Sequence, residues 1–319
     1  MSIDIVGIGY PCLDMVVRIP HLPQSGTAVP IQRYLYQGGG TVSTALAAAS
    51  SLGAAAGMIG LVGDDSAGEF CIRDFQFNQV DTSRLIVDPG SSTAVNICLS
   101  ESEKNQRSFL AYESSFRSLR PEEIDLEYLC GAKWLHLARM DEISVMAAEK
   151  ARASGVKVML DADLFDERTQ QFSGLIDALI ASEEYYEGRF QSGSFEENCR
   201  KICAEGPETV VITLGAEGCV AARDGEFYRI PAFRNIKVVD TTGAGDVFHG
   251  AFLYGLIQQW DIERIARFAS AASAIKCTRL GGRTGIPDRR TVEQFLLTGE
   301  IDTDYLESRE SAYCGLKYA

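Results

Sequence analysis

The chain has 319 residues, 46% of them hydrophobic and 23% charged, a profile that belongs to a globular protein and excludes disorder, collagen-like repeats and membrane spanning. Lys and Arg number 30 against 44 Asp and Glu, a formal charge of -14. Such a balance repels nucleic acid and anionic lipid, so any anionic ligand has to be held by local devices.

In chain order, residues 3–8 read as a short apolar strand ended by glycine. Residues 15–37, broken by Pro20, Pro23 and Pro30, read as an antiparallel strand pair outside the main sheet, and residues 41–52 as a helix. Residues 92–112 repeat the paired pattern, with a charged turn before Arg107. These two pairs are either surface hairpins or a small β-lid over a site. Strands follow at 133–137, 157–160, 209–213 and 236–239, with helices at 142–154, 195–204, 246–259 and 262–279. This alternation predicts a doubly wound, mostly parallel α/β sheet flanked by helices, with ligands at the carboxyl ends of its strands. Residues 1–298 are expected to form one domain with the lid segments inserted, and residues 299–319 a peripheral tail.

The nine cysteines are scattered and no basic leader precedes the first strand, so a reduced, cytoplasmic setting is expected. Cys199 and Cys203 lie one helical turn apart with no further zinc ligand nearby, and His21, His136 and His249 are too dispersed for a metal cluster or a triad.

The chemistry is concentrated in Asp240-Thr-Thr-Gly243-Ala244-Gly245-Asp246, which lies between an apolar run and an amphipathic helix. The first amides of a helix lack intrahelical acceptors and its dipole is positive there, so this turn is a prepared anion site. Asp246 has two readings. It is an acid placed against the dipole, or it accepts the proton of a substrate hydroxyl while adjacent amides neutralise a transferring phosphoryl group. On either reading the dipole is expected to keep its carboxylate ionised.

Residues 240–246 resemble the second signature of the ribokinase (PfkB) family of carbohydrate kinases. Gly7-Ile-Gly9 with Asp14, the run from Gly38-Gly39-Gly40 through Ser43 and Ala45 to Leu52-Gly53, Thr213-Leu-Gly215-Ala-Glu-Gly218, and Arg267-Phe-Ala-Ser270 through Gly281-Gly282 to Ile286-Pro287 are similar to further family motifs in the family's order. The resemblance implies a ribokinase-like fold with a β-sheet lid that closes over the sugar and excludes water. It further implies that Asp246 is the catalytic base and that Gly243, Ala244 and Gly245 form the anion hole. Asp14, Gly38, Gly39 and Ser43 would line the sugar site, and Thr213, Gly215, Gly218, Ser270 and Ser182 the nucleotide site. ATP would bring Mg2+ with it, potassium would sit at Asp240 and Thr242, and the partners would be sugar, ATP and a second copy paired through the lid.

Three departures bear on this. Ser43 stands where the family has Asn, Gly40 where ribokinases have Lys, and Ser182-Glu-Glu-Tyr185 where the family has Asn-x-x-Glu. Residues 246–251 and the Lys276 to Asp288 stretch look especially like the sulfofructose kinase branch, which phosphorylates the 1-hydroxyl of a ketohexose with an anionic group at C6. Arg139 and Arg107 are the candidate partners for such an anion, because a guanidinium donates two hydrogen bonds at once. Against that branch, Ala111 stands where it carries Asn. The competing readings are a fructokinase, nucleoside kinase or sugar-phosphate kinase of the same family, and a sugar-binding sensor without turnover. No Gly-Lys-Ser/Thr element is present, and Gly7-x-Gly9 lacks the third glycine of a dinucleotide fingerprint.

Overall fold

Neighbouring residues Ile5 and Val6 are both fully buried, yet they belong to separate apolar clusters. Side chains alternate along a strand, so a strand with both neighbours buried lies in a sheet covered on both faces. The computed structural model describes residues 3–104, 106–316 and 318. Its strands are β1 (Ile5–Ile8), β2 (Cys12–Ile19), β3 (Arg33–Gly39), β4 (Ala56–Gly63), β5 (Asp81–Asp88), β6 (Ala94–Glu101), β7 (Arg107–Tyr112), β8 (Trp134–Leu137), β9 (Lys157–Ala162), β10 (Ala178–Ala181), β11 (Thr209–Thr213), β12 (Cys219–Arg223) and β13 (Glu226–Ile230). The α-helices are α1 (Thr41–Ser51), α2 (Ser66–Phe77), α3 (Leu126–Cys130), α4 (Glu142–Ala153), α5 (Glu167–Gln171), α6 (Glu183–Arg189), α7 (Phe195–Ala204), α8 (Ala244–Ile257), α9 (Ile262–Lys276), α10 (Arg289–Thr298) and α11 (Thr303–Gly315).

Among the described residues the large sheet has nine strands in the order β13-β12-β11-β10-β9-β8-β1-β4-β5, parallel except for β12 and β13 at one edge. Helices α1, α8, α9 and α10 cover one face through residues such as Leu46, Phe252, Ile265 and Phe295. The other face is covered by α4 and α7, with Ala147, Ala151 and Ile202 in its core. Where α8 crosses α1, a Cβ on Gly250 would lie 2.2 Å from the oxygen of Ala45. Glycine there lets the two helices approach closely.

The second sheet has the order β3-β2-β6-β7. Each predicted pair is antiparallel, and the two are joined by a parallel β2–β6 ladder running from Cys12 to Ile19. The hairpins therefore form one sheet, whose first strand starts at Cys12, earlier than residue 15.

Two expectations are corrected. Residues 236–239 form no strand, because Val239 and Asp240 both donate their amides to the oxygen of Cys277 at the end of α9 and so have no ladder to join. Nor is the tail wholly peripheral. It contains helix α11, which buries Leu306 and Tyr313 completely and Arg309 almost completely.

Candidate functional site

Parallel strands end on the same edge, so the order β11-β10-β9-β8-β1 puts Thr213, Ser182, Asp163, Arg139 and Gly9 in a row past their carboxyl ends. Residues far apart in the chain thus share one cleft rim, the usual ligand position of such sheets.

The turn into α8 is set by Gly243, whose φ of 73° is left-handed and whose added Cβ would lie 2.7 Å from the Cα of Gly282. No side chain among the described residues caps this helix. The amide of Ala244 closes the turn onto the oxygen of Thr241 at 3.1 Å, and the ladder begins with Val247 on Gly243 at 3.0 Å. The amides of Gly245 and Asp246 are left with no acceptor among the described residues, and the space around Gly245 is open. Asp240 braces the turn. One of its carboxylate oxygens accepts from the Thr242 amide at 2.9 Å and hydroxyl at 2.8 Å, and the other from the Gly281 amide at 2.8 Å.

Asp246 is partly buried at this helix start. Burial pushes its pKa well above the usual carboxylate value, Asp161 and Asp14 add to the rise, and Arg283 and Lys276 oppose it. Burial and the nearby carboxylates thus work against the helix dipole, which favours the anion. A helix dipole is worth about 0.3–1 kcal/mol to a nearby charge, whereas burial shifts a carboxyl by up to about 3–5 pKa units.

On the lid side of the cleft, Asp14 of β2 is buried and accepts from Asn96 Nδ2 of β6 at 3.0 Å and from the Cys12 thiol at 3.4 Å. Its own pKa is raised, chiefly by burial. A Cβ on Gly39 would fall 2.4 Å from the Asp14 carboxylate, and one on Gly38 would fall 2.3 Å from Arg283. Both glycines are therefore steric requirements of this wall. The Ser43 hydroxyl and Gln37 Nε2 are buried without a hydrogen-bond partner among the described residues. Buried polar atoms are nearly always satisfied, so these two mark a place for a polar ligand.

At the other end, Thr213 donates its hydroxyl to the oxygen of Ala181 at 3.2 Å, Gly215 opens a short 3-10 turn, and Gly218 closes it with a φ of 99°. Ser270 of α9 lies 3.7 Å from the Cys219 thiol on β12. Ser182 caps α6 by accepting the Tyr185 amide and donates to the oxygen of Asp163. Tyr185 is fully buried and receives a hydrogen bond from Arg189, while Glu183 and Glu184 are exposed.

The two candidate arginines separate. Arg139 lines a pocket of about 180 Å³ with Gly9, Tyr10, Gly40 and Asp141. Arg107, on the outer lid strand, instead reaches across to donate to the Thr241 hydroxyl beside the start of α8.

Sequence reasoning missed several residues of the site region. Asn96 faces Asp14 in the β2–β6 register, which an alternating pattern could have suggested once the pairing was known. His136 and His249, read as dispersed, have ring centroids 6.2 Å apart, and His249 lies 3.4 Å from Asp161. Burial lowers their pKa values to about 3 and about 4, and burial with Asp163 raises Asp161 to about 7. Lys276 is wholly buried and donates to the main-chain oxygen of Asp240 at 2.8 Å. Nothing in the local sequence marks the two histidines, Asp161 or Lys276, because their partners come from other elements.

A ribokinase-like α/β kinase fold is the class this architecture defines. A putative ribokinase from Agrobacterium tumefaciens superposes with a TM-score of 0.82 at 24% identity, over 96% of this chain and 99% of its own. A putative ribokinase II from E. coli, in complex with ATP and Mg2+, gives 0.82 at 19% identity over 92% and 99%. Residues 4–289 match the model of the pfkB family carbohydrate kinases. The 5-dehydro-2-deoxygluconokinase of Bacillus subtilis (strain 168) is 29% identical over 92% of this chain and 96% of its own length. The chain belongs to the pfkB family of carbohydrate kinases and is a phosphotransferase acting on a sugar hydroxyl.

Proposed function

We propose that the protein transfers the γ-phosphoryl group of ATP, supplied as its Mg2+ complex, to a hydroxyl of a ketohexose or related keto sugar bearing an anionic group. The observation that carries this reading is the meeting of an uncapped helix start and Asp246 in one cleft with Asp14, whose charge acts on Asp246. Asp246 takes the hydroxyl proton, and its raised pKa makes it a better base for an alcohol than an ordinary carboxylate. The free amides of Gly245 and Asp246, with Gly243 shaping the turn, face the transferring charge. Asp14, Asn96, Ser43 and Gln37 orient the sugar against the Gly38 and Gly39 wall. Thr213, Gly215, Gly218, Ser270 and Ser182 stand on the nucleotide side. The lid excludes water and limits hydrolysis.

The anionic substrate class is supported by two points. Arg139 lines the pocket beside Gly9 and Gly40, and the Bacillus relative is named for a dehydro-deoxygluconate, itself a keto sugar acid. The exposed lid residues Tyr34, Phe109, Leu110 and Tyr112 support a second copy packing on the lid.

The test is ADP release with Mg-ATP across fructose, sulfofructose, fructose 6-phosphate, 5-dehydro-2-deoxygluconate, ribose and nucleosides. Turnover is expected with an anionic keto sugar above the neutral ones. The Asp246→Asn variant should lose about 10²–10⁴-fold in kcat while still binding ATP and sugar, and undiminished turnover would overturn the mechanism. Arg139→Ala should erase the preference for the anionic over the neutral sugar. An unchanged ratio would retire that residue from the site.

A further inference from the structure

Lys276 occupies the last turn of α9 with its side chain fully buried. An ammonium survives burial only among acceptors or opposite charges. Its Nζ bonds the main-chain oxygen of Asp240 at 2.8 Å, on the turn that opens α8. The rest of Asp240 is engaged by the chain itself, through Thr242 and Gly281. Burial, the largest influence, lowers the Lys276 pKa and Arg107 from the second sheet adds to the fall, while Cys277, Asp240 and Asp246, which face the ammonium, oppose it.

The family resemblance places potassium at Asp240 and Thr242, and these residues do not fit that ion. Thr242 has its hydroxyl and amide on the Asp240 carboxylate, and a second cation at this turn would meet a positive charge already seated on the Asp240 carbonyl. Like charges in a buried pocket are poorly screened. We propose that the Lys276 ammonium is a built-in monovalent cation, which braces the Asp240 turn and holds a fixed positive charge behind the helix start so that the enzyme works without potassium. Lys276 acts through the turn and through Asp246, and is a positioning residue. This rests on the reading of the α8 start as the site of phosphoryl transfer.

The experiment compares wild type, Lys276→Met and Lys276→Gln in tetramethylammonium salts free of potassium, sodium and ammonium, then titrates potassium chloride at constant ionic strength. Wild-type kcat is expected to be unchanged by potassium. Without monovalent cations the variants should lose about 10²-fold in kcat, in the range of a lost oxyanion-type contact, and potassium or ammonium should restore part of it. Potassium activation of the wild type, or full kcat in the variants without any small cation, would overturn the proposal. Melting temperatures give a readout that needs no turnover. Potassium should leave the wild type unmoved and raise the variants, and a potassium-stabilised wild type overturns the proposal even if the variants do not fold. If no sugar is phosphorylated while the melting pattern holds, the functional reading fails and the built-in cation stands.

Discussion

Asp246 combines two demands that pull against each other. The helix start favours its anion, while burial and the neighbouring carboxylates Asp161 and Asp14 favour its acid form. On the proposed mechanism, its raised pKa keeps the base protonated at acid pH, so kcat/KM should fall as pH drops, on a limb above the ordinary carboxylate range. Replacing Asp161 by Asn removes a like charge, and a pH–rate profile should show that limb moving to lower pH. Asp161 also bears on stability. Its folded pKa of about 7 lies above the ordinary carboxylate value of 3.8, so its favourable contribution is complete below the unfolded value and is lost as pH rises through about 7. The Asp161→Asn variant should therefore melt above the parent at pH 8, by a margin that narrows toward pH 4. His249 runs the other way. Its folded pKa of about 4 against 6.5 means that stability is lost as pH falls from 6.5 toward 4. The Asp246 motif itself was legible because its residues are contiguous, but the direction of its pKa was not, since Asp161 and Asp14 arrive from other elements.

Helix α11 is tied through a buried hydrogen-bond network to the wall formed by Gly38 and Gly39. Arg309 donates Nε to the oxygen of Arg283 at 2.8 Å and Nη2 to Asn78, whose amide reaches Asp74 at 3.1 Å. Asp74 is fully buried against Arg283 and accepts the Gly38 amide at 3.0 Å, while Arg283 Nη2 donates to the oxygen of Gly39 at 3.3 Å. Breaking such a buried pair leaves one charge unpaired. Asp74→Ala should cost about 3–5 kcal/mol, read as a fall in denaturant midpoint. Arg309→Met should raise the KM for sugar more than that for ATP, because the network ends on Gly38 and Gly39. Equal effects on both would show a merely structural role. Composition misread this segment: its charged residues suggest a solvated tail, yet Leu306 and Tyr313 are fully buried.

At the scale of the molecule, the lid is latched to the α/β body at the turn before α8. Arg18 Nη1 donates to the Val239 oxygen at 2.7 Å and to the Ser100 hydroxyl at 2.7 Å, and Arg107 holds the Thr241 hydroxyl. Both contacts flank Asp240, so the second sheet and the turn into α8 are tied to each other. The double variant Arg18→Met, Arg107→Ala should loosen the lid and raise the share of ADP formed without phosphosugar. A comparison of ADP release with phosphosugar yield checks it, and an unchanged ratio would show that the latch does not govern water exclusion.

By itself the sequence determined what local periodicity and contiguous motifs can carry. It specified the alternation of strand and helix, the two antiparallel pairs of the second sheet, and the glycine turn into α8 with Asp246 at its start. Each of these depends on residues within a few positions of one another, where apolar spacing and glycine placement act directly. Tertiary structure alone decided the row of residues along the carboxyl edge, the joining of the hairpins through β2 and β6, the meeting of His249 with Asp161, and the burial of Lys276 on the Asp240 turn. Those outcomes depend on which strands become neighbours and on how much water remains around a charge, and neither quantity is encoded in any single stretch of the chain.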